Sequence, residues 1–192
     1  MPVQPDYARM SPEEYEASAG EGRRWVYHAS ERADAFKEGV LMANVPQHLA
    51  RQRFASGTPV EFAPGAGLGQ GVYVSGSAQG AEGYGHFMHA FAVPTEHLQV
   101  PPELARGGEG YRPDDVEYHL DPKRGSGGEA LLTHDVERAH VVDMGKITVN
   151  GYSGHDLHQL QALRRGEHVP EEHMSDRLKD RVKRSKENGW EL

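Results

Sequence analysis

The segment Arg24-Trp25-Val26-Tyr27-His28 decides the fold class, because it has the clearest strand character in the chain. Aromatic and β-branched residues are dense in it, and such residues favour a half-buried strand. His28 stands at the end of this predicted strand, and the small residues Ala29 and Ser30 follow it. Small residues there would let a ligand approach the backbone, so the strand end is a candidate binding site.

Further strand patterns follow this segment, separated by stretches rich in Gly and Pro. They cover residues 71–75, 90–93, 97–100, 116–120, 129–133 and 139–143, and residues 146–149 would extend the sheet. Helical patterns cover residues 11–17, 31–42, 77–88, 155–165 and 171–188. The first of these begins with a capping box and a proline. Residues 44–70 have no periodicity and are expected to form a long loop.

Short strands with few helices between them predict an α+β fold with an antiparallel or mixed sheet. The chain is expected to build one core, since 192 residues are too few for two full domains. We divide it into a lead with a short helix (1–20), a central domain (21–150) and a C-terminal helical extension (151–192). The second helix of that extension is mostly polar around its circumference and is expected to be exposed or docked by a narrow face.

Charge and composition disfavour several classes of function. Acidic residues number 29 and basic residues 21, and the net charge of −8 disfavours broad attraction to nucleic acid phosphates. Cysteine is absent, which excludes disulfides, thiolate nucleophiles and Cys-ligated zinc. The sequence has neither an apolar run of roughly 20 residues, as a membrane span needs, nor the pattern of a secretion signal. We expect a soluble protein with no membrane partner, either cytoplasmic or delivered to a target cell by another route.

Three features in chain order carry the candidate chemistry. The first is Val26-Tyr27-His28-Ala29-Ser30, and the second is Gly71-Val72-Tyr73-Val74-Ser75 followed by Tyr84, with ten residues between the two tyrosines. The third is Gly128-Glu129-Ala130-Leu131-Leu132, which places a carboxylate at the start of an apolar strand. Across residues 24–145 this pattern resembles the His, Tyr and Glu motifs of the diphtheria-toxin and PARP branch of the ADP-ribosyltransferases.

The resemblance implies an ADP-ribosyltransferase-like split or mixed sheet with short helices, and NAD as the cofactor that is consumed as a substrate. It implies that His28 bonds a ribose hydroxyl and that the backbone of Ala29, where the family has glycine, pairs with the carboxamide. The catalytic residues that it implies are Glu129, Tyr73 and His28. The NAD-binding residues that it implies are His28, Ala29, Ser30, Gly71, Tyr73, Ser75 and Tyr84.

The chemistry of NAD explains why these residue types suit the reaction. Breaking the nicotinamide–ribose bond develops positive charge on the sugar, as in glycoside cleavage. A carboxylate aimed at the ribose, the role of Glu129, stabilises that charge. Tyr73 and Tyr84 would hold the flat nicotinamide ring between them by stacking. The sequence therefore favours an enzyme that transfers ADP-ribose from NAD to an acceptor.

Other functions stay open from the sequence alone. Glu117 and Glu82 compete with Glu129 for the role of the catalytic carboxylate. An NAD glycohydrolase, or a non-catalytic module that binds NAD or ADP-ribose on the same fold, would carry the same motifs. Gly127 stands two residues before Glu129, so the Glu-x-Glu pattern of arginine-directed enzymes is absent. The acceptor is unidentified, with a protein slightly favoured over nucleic acid, as for a toxin, an effector or a phage-borne enzyme.

Two histidine pairs have the spacing of metal ligands on a helix. They are His86 with His89, and His155 with His158. Residues three apart on a helix share a face, but neither pair has an identifiable third ligand in the sequence. We therefore predict no metal site.

Overall fold

The computed structural model describes residues 4–40, 72–99, 113–124, 128–148 and 151–192. Within these ranges six strands form one sheet: β1 (Arg23–Ser30), β2 (Tyr73–Ser75), β3 (Phe87–Pro94), β4 (Leu98–Gln99), β5 (Glu129–Leu132) and β6 (Val141–Lys146). Their spatial order is β4-β5-β2-β1-β3-β6. Every pairing of these strands is antiparallel. The α+β class is confirmed, and the sheet is antiparallel.

Five α-helices accompany the sheet within the described ranges: α1 (Pro12–Ala17), α2 (Ala78–Ala81), α3 (Pro113–Leu120), α4 (Gly154–Arg164) and α5 (Asp176–Asn188). The predicted capping box opens α1, since the Ser11 hydroxyl accepts from the Glu14 N–H while the Glu14 carboxylate accepts from the Ser11 N–H. These bonds satisfy amides that a helix start otherwise leaves unpaired. None of the described helices is long and apolar enough to cross a membrane.

The sheet is covered by apolar side chains on both faces. One face packs Trp25 and Tyr27 against α1 and the C-terminal helices, which contribute Tyr15, Leu157 and Leu178. The other face packs a separate cluster that includes Val26, Phe91, Val116, Leu120, Ala130 and Leu132. The C-terminal helices thus lie on the same core as the first strand, and the mostly polar α5 contributes the buried Leu178 and the partly buried Val182.

The predicted strand at residues 116–120 is wrong, because these residues belong to α3. The helix as described begins at Pro113, and proline suits the start of a helix because its missing N–H has no intrahelical partner there. Val116 and Leu120 are both buried, four residues apart. A spacing of four places both on one face of a helix, whereas the aromatic and β-branched residues of the segment also suit a strand.

The predicted helix at residues 31–42 is also wrong over the described part, residues 31–40. That segment consists of turns and isolated β-bridges. One of these bridges joins Val40 to Val136. Gly39 has a φ of 91°, which breaks helical geometry just before this bridge. Residues 41 and 42, the loop at 44–70, Gly71, Val100 and residue 149 lie outside the described residues.

Several predicted boundaries shift in the structure. The helix predicted for residues 77–88 is only α2 followed by a single 3-10 turn, Glu82–Tyr84, and β3 begins at Phe87. The last helix begins at Asp176 and not at residue 171, because the Ser175 hydroxyl accepts from the Leu178 N–H and caps it there. These differences arise from side-chain caps and glycines, which end helices within one turn.

Candidate functional site

A cavity of about 610 Å³ opens where β1, β2 and β5 lie side by side. Among the predicted site residues, those that line it are His28, Ala29, Ser30, Tyr73, Ser75, Tyr84 and Glu129. Gly71 lies outside the described residues. Three segments that are far apart in the chain therefore meet at one cavity, and its volume is within the range of small-molecule sites.

The register of three adjacent strands brings the first and third motifs together. Tyr27 of β1 lies opposite Ser75 of β2, and Ser75 lies opposite Glu129 of β5. Residues directly opposite each other in a sheet point to the same face. The Glu129 carboxylate thus lies on the face that carries Tyr27, next to the cavity.

Tyr84 reaches the cavity from the turn after α2. The Ser77 hydroxyl accepts from the Gly80 N–H and so starts this helix, which ends in the turn Glu82–Tyr84. Gly85 then passes so close to β1 that a Cβ on it would lie 2.2 Å from the carbonyl carbon of Ser30. Such a contact is far inside van der Waals distance, so glycine is required for the turn to rest on the strand. The Tyr84 ring remains 58% exposed and is available to a ligand.

The hydroxyl of Tyr84 donates a hydrogen bond to Oε1 of Glu129. This bond to a carboxylate, with lesser contributions from burial and from the negative charge of Glu129, raises the pKa of Tyr84 to about 12. Ionising the phenol would break the bond and place two negative charges together. At neutral pH Tyr84 is therefore a protonated donor that holds one oxygen of the carboxylate.

His28 is held in a single tautomer. Its Nδ1 lies 2.6 Å from the carbonyl oxygen of Tyr73, and since a carbonyl only accepts, Nδ1 carries the proton. Burial lowers the pKa of His28, the bond to Tyr73 opposes this shift, and nearby His89 adds to it. The neutral imidazole therefore has its lone pair on Nε2. The ring packs edge-on against Phe36 and stacks on Phe91, which fixes its orientation.

The cavity has further lining residues that the sequence did not predict: Tyr27, Glu31, Val74 and Ala81. The Tyr27 hydroxyl shares a 2.9 Å hydrogen bond with the Tyr15 hydroxyl, so this side chain ties the cavity wall to α1. Strand alternation around His28 could have placed Tyr27 and Ala29 together on one face. Glu31 follows the strand end directly. Its carboxylate oxygen Oε2 lies 2.6 Å from Nδ1 of His86 and accepts a hydrogen bond from that ring.

The two competing carboxylates lie outside the cavity lining. Glu117 is on α3, where it forms an ion pair with Arg24 at 3.0 Å and accepts a hydrogen bond from Thr95. The Glu82 carboxylate accepts from the backbone N–H of Gly151. Each has a structural partner away from the motif residues, whereas Glu129 lines the cavity.

The two histidine pairs do not form a metal centre within the described residues. His86 lies just before β3 and His89 within it, so neither is on a helix, and His89 is buried. His155 and His158 are on α4 but are buried among aromatic rings. No group of three or more His, Cys, Asp or Glu side chains arranged to hold a metal ion occurs in the described parts of the chain.

No family model, no curated protein and no solved structure matches this chain. What the cavity does must therefore be inferred from its own residues and geometry.

Proposed function

We propose that the chain is an ADP-ribosyltransferase that cleaves the nicotinamide–ribose bond of NAD and transfers ADP-ribose to an acceptor, on an ADP-ribosyltransferase-like fold. The observation that carries the proposal is the meeting of His28, Tyr73, Tyr84 and Glu129 around one cavity. These four residues come from three segments that are far apart in the chain. Their meeting at one place supports a shared task.

The chemical character of the cavity supports NAD as the ligand. Nicotinamide in NAD is a flat cation, and the cavity is lined by three tyrosines together with Glu129 and Glu31. Aromatic faces and carboxylates both attract a flat cation. In this proposal the Nε2 lone pair of His28 accepts from a sugar hydroxyl.

The reaction can be written with these residues in defined roles. The bond between C1′ of ribose and the pyridinium nitrogen breaks, and its electron pair neutralises nicotinamide. The ribose becomes an oxocarbenium-like cation, which the Glu129 carboxylate stabilises. A nucleophilic group of the acceptor then attacks C1′ and releases a proton. Water in place of the acceptor would give hydrolysis, the reaction of a glycohydrolase.

The test is release of labelled nicotinamide from NAD by the wild type, Glu129→Gln and Glu117→Gln. The second variant is a matched control, because Glu117 lies outside the cavity and the amide oxygen of glutamine can still accept from Arg24 or Thr95. We expect Glu129→Gln to lower the rate at least a hundredfold and Glu117→Gln to leave it unchanged.

The same experiment separates the alternatives. Label from the ADP-ribose part that appears on an added protein shows transfer, whereas nicotinamide release without such label shows a glycohydrolase. NAD that binds by calorimetry but yields no nicotinamide, with lysate proteins present as acceptors, would identify a binding module and refute the enzymatic proposal. Equal release by the wild type and Glu129→Gln would refute the role of Glu129.

A further inference from the structure

The strand that carries Glu129 begins against the C-terminal end of α3. Nε2 of His119 lies 2.9 Å from the carbonyl oxygen of Glu129. The carbonyl only accepts, so the imidazole donates from Nε2–H. This bond joins the last turn of the helix to the backbone of the proposed catalytic residue.

Gly128, the residue before Glu129, leaves room for the His119 ring. A Cβ on Gly128 would lie 2.5 Å from Nε2 of His119, so the imidazole occupies the space that any other residue would fill. The carbonyl of Gly128 also accepts a hydrogen bond from the N–H of Gly76, at the end of β2. The start of β5 is therefore held from two sides, by His119 of α3 and by the neighbouring strand.

We propose that His119 is a positioning residue that fixes the start of β5 and so directs the Glu129 carboxylate to the cavity, an inference that rests on the proposed function. The bond from His119 to the Glu129 carbonyl restrains the peptide group after the Glu129 Cα, while the bond from the Gly76 N–H to the Gly128 carbonyl restrains the one before it. The direction of a side chain follows from these peptide groups. His119 does not line the cavity and acts through Glu129.

A matched pair of substitutions separates this role from general support of the fold. His119→Gln places an amide N–H near the position of Nε2 and keeps the donor, whereas His119→Leu keeps apolar bulk and removes it. A catalytic group displaced by about 1 Å can lose on the order of a hundredfold in rate. We expect His119→Leu to lower kcat for nicotinamide release about ten- to a hundredfold with little change in KM, and His119→Gln to restore most of it.

A second readout does not depend on turnover. The Tyr84 hydroxyl bonds Glu129, so the ionisation of Tyr84 reports where the carboxylate lies. With ¹³C-labelled tyrosine ring carbons, the ionised fraction of Tyr84 can be read by NMR at pH 10.5. A pKa of about 12 corresponds to about 3% ionised at that pH, and an unperturbed phenol to about 75%. We expect the ionised fraction of Tyr84 to be near the lower value in the wild type and in His119→Gln. In His119→Leu it should be nearer the upper value, for which Glu129→Gln is the reference.

The outcomes distinguish the two proposals. Tyr84 ionisation in His119→Leu that matches the wild type would overturn the positioning role, whether or not NAD is consumed. Absence of nicotinamide release by the wild type, with the NMR shift still seen, would refute the proposed function and leave the placement of Glu129 by His119 intact. Gly128→Ala serves if His119→Leu does not fold, because its methyl group would displace the same imidazole. It should raise Tyr84 ionisation in the same way, and an unchanged value would overturn the proposal.

Discussion

Acid should destabilise this protein through its buried histidines, and His158 has the largest such effect for which a value can be given. Its ring lies 5.0 Å from the Tyr7 ring and 5.1 Å from the Tyr15 ring, centroid to centroid, between the N-terminal segment and α4. Its Nε2 is buried and has no hydrogen-bond partner among the described residues. Burial, followed by the neighbouring His155 and Arg165, lowers the pKa of His158 to about 3. The protonated ring would carry a positive charge that is shielded from water, and its Nε2–H would have no hydrogen-bond partner among the described residues.

The direction of the effect follows from where each state takes up its proton. In the unfolded chain the imidazole protonates near pH 6.5, and in the folded chain only near pH 3. The stability that the neutral ring provides is therefore complete above about pH 6.5 and is lost as the pH falls toward 3. Each pH unit in this window costs about 1.4 kcal/mol, so the loss from His158 reaches about 3 kcal/mol at pH 4.

The assay is urea unfolding followed by circular dichroism at several pH values between 4 and 8, for the wild type and His158→Phe. The phenyl ring keeps the aromatic contacts and cannot protonate, so the variant should lose about 3 kcal/mol less than the wild type between pH 7 and pH 4. His168→Gln is the control, since it removes an exposed imidazole. Parallel pH profiles for the wild type and His158→Phe would refute the reasoning.

Three further predictions concern the cavity. Tyr84→Phe keeps the ring but not the bond to Glu129, so nicotinamide release should fall about tenfold, and a rate equal to wild type would restrict Tyr84 to stacking. Gly85→Ala would force a methyl group against Ser30; we expect a loss of about 1–3 kcal/mol in urea unfolding, and an unchanged midpoint would contradict the close contact. His28→Asn keeps a donor for the neighbouring carbonyl but lacks the Nε2 acceptor, so KM for NAD should rise about tenfold. An unchanged KM in steady-state kinetics would contradict this role.

The strands were predictable where periodicity and composition agreed. Strand β1 has dense β-forming residues and forms close to the expected bounds. Strand β5, Glu129–Leu132, also forms close to its expected bounds, although its Ala and Leu residues favour helices. Residues 116–120 also contain β-forming residues, but they follow Pro113 at the start of α3 and are helical. Local composition therefore predicts a strand only where no helix start precedes it.

The candidate site was predictable only in its motif residues. The spacing of Tyr73 and Tyr84 could be seen in the sequence, and both residues line the cavity. The contact of His119 with Glu129 could not be predicted, because it joins a helix end to a strand start across a stretch of the chain without periodicity. Tyr27 lies beside His28 in the same motif, but the motif assigns it no role. In the structure it lines the cavity while its hydroxyl bonds that of Tyr15.

Two glycines explain how short elements can build this cavity. Gly85 lets the Tyr84 turn rest on the backbone of Ser30, and Gly128 leaves room for the His119 ring. In the sequence both appear as residues that weaken helices and strands. In the structure each lies beside a site residue and allows an approach that a Cβ would prevent. Because both Tyr84 and Glu129 depend on such contacts, and then bond each other, the phenol–carboxylate pair reports the assembly of the whole site.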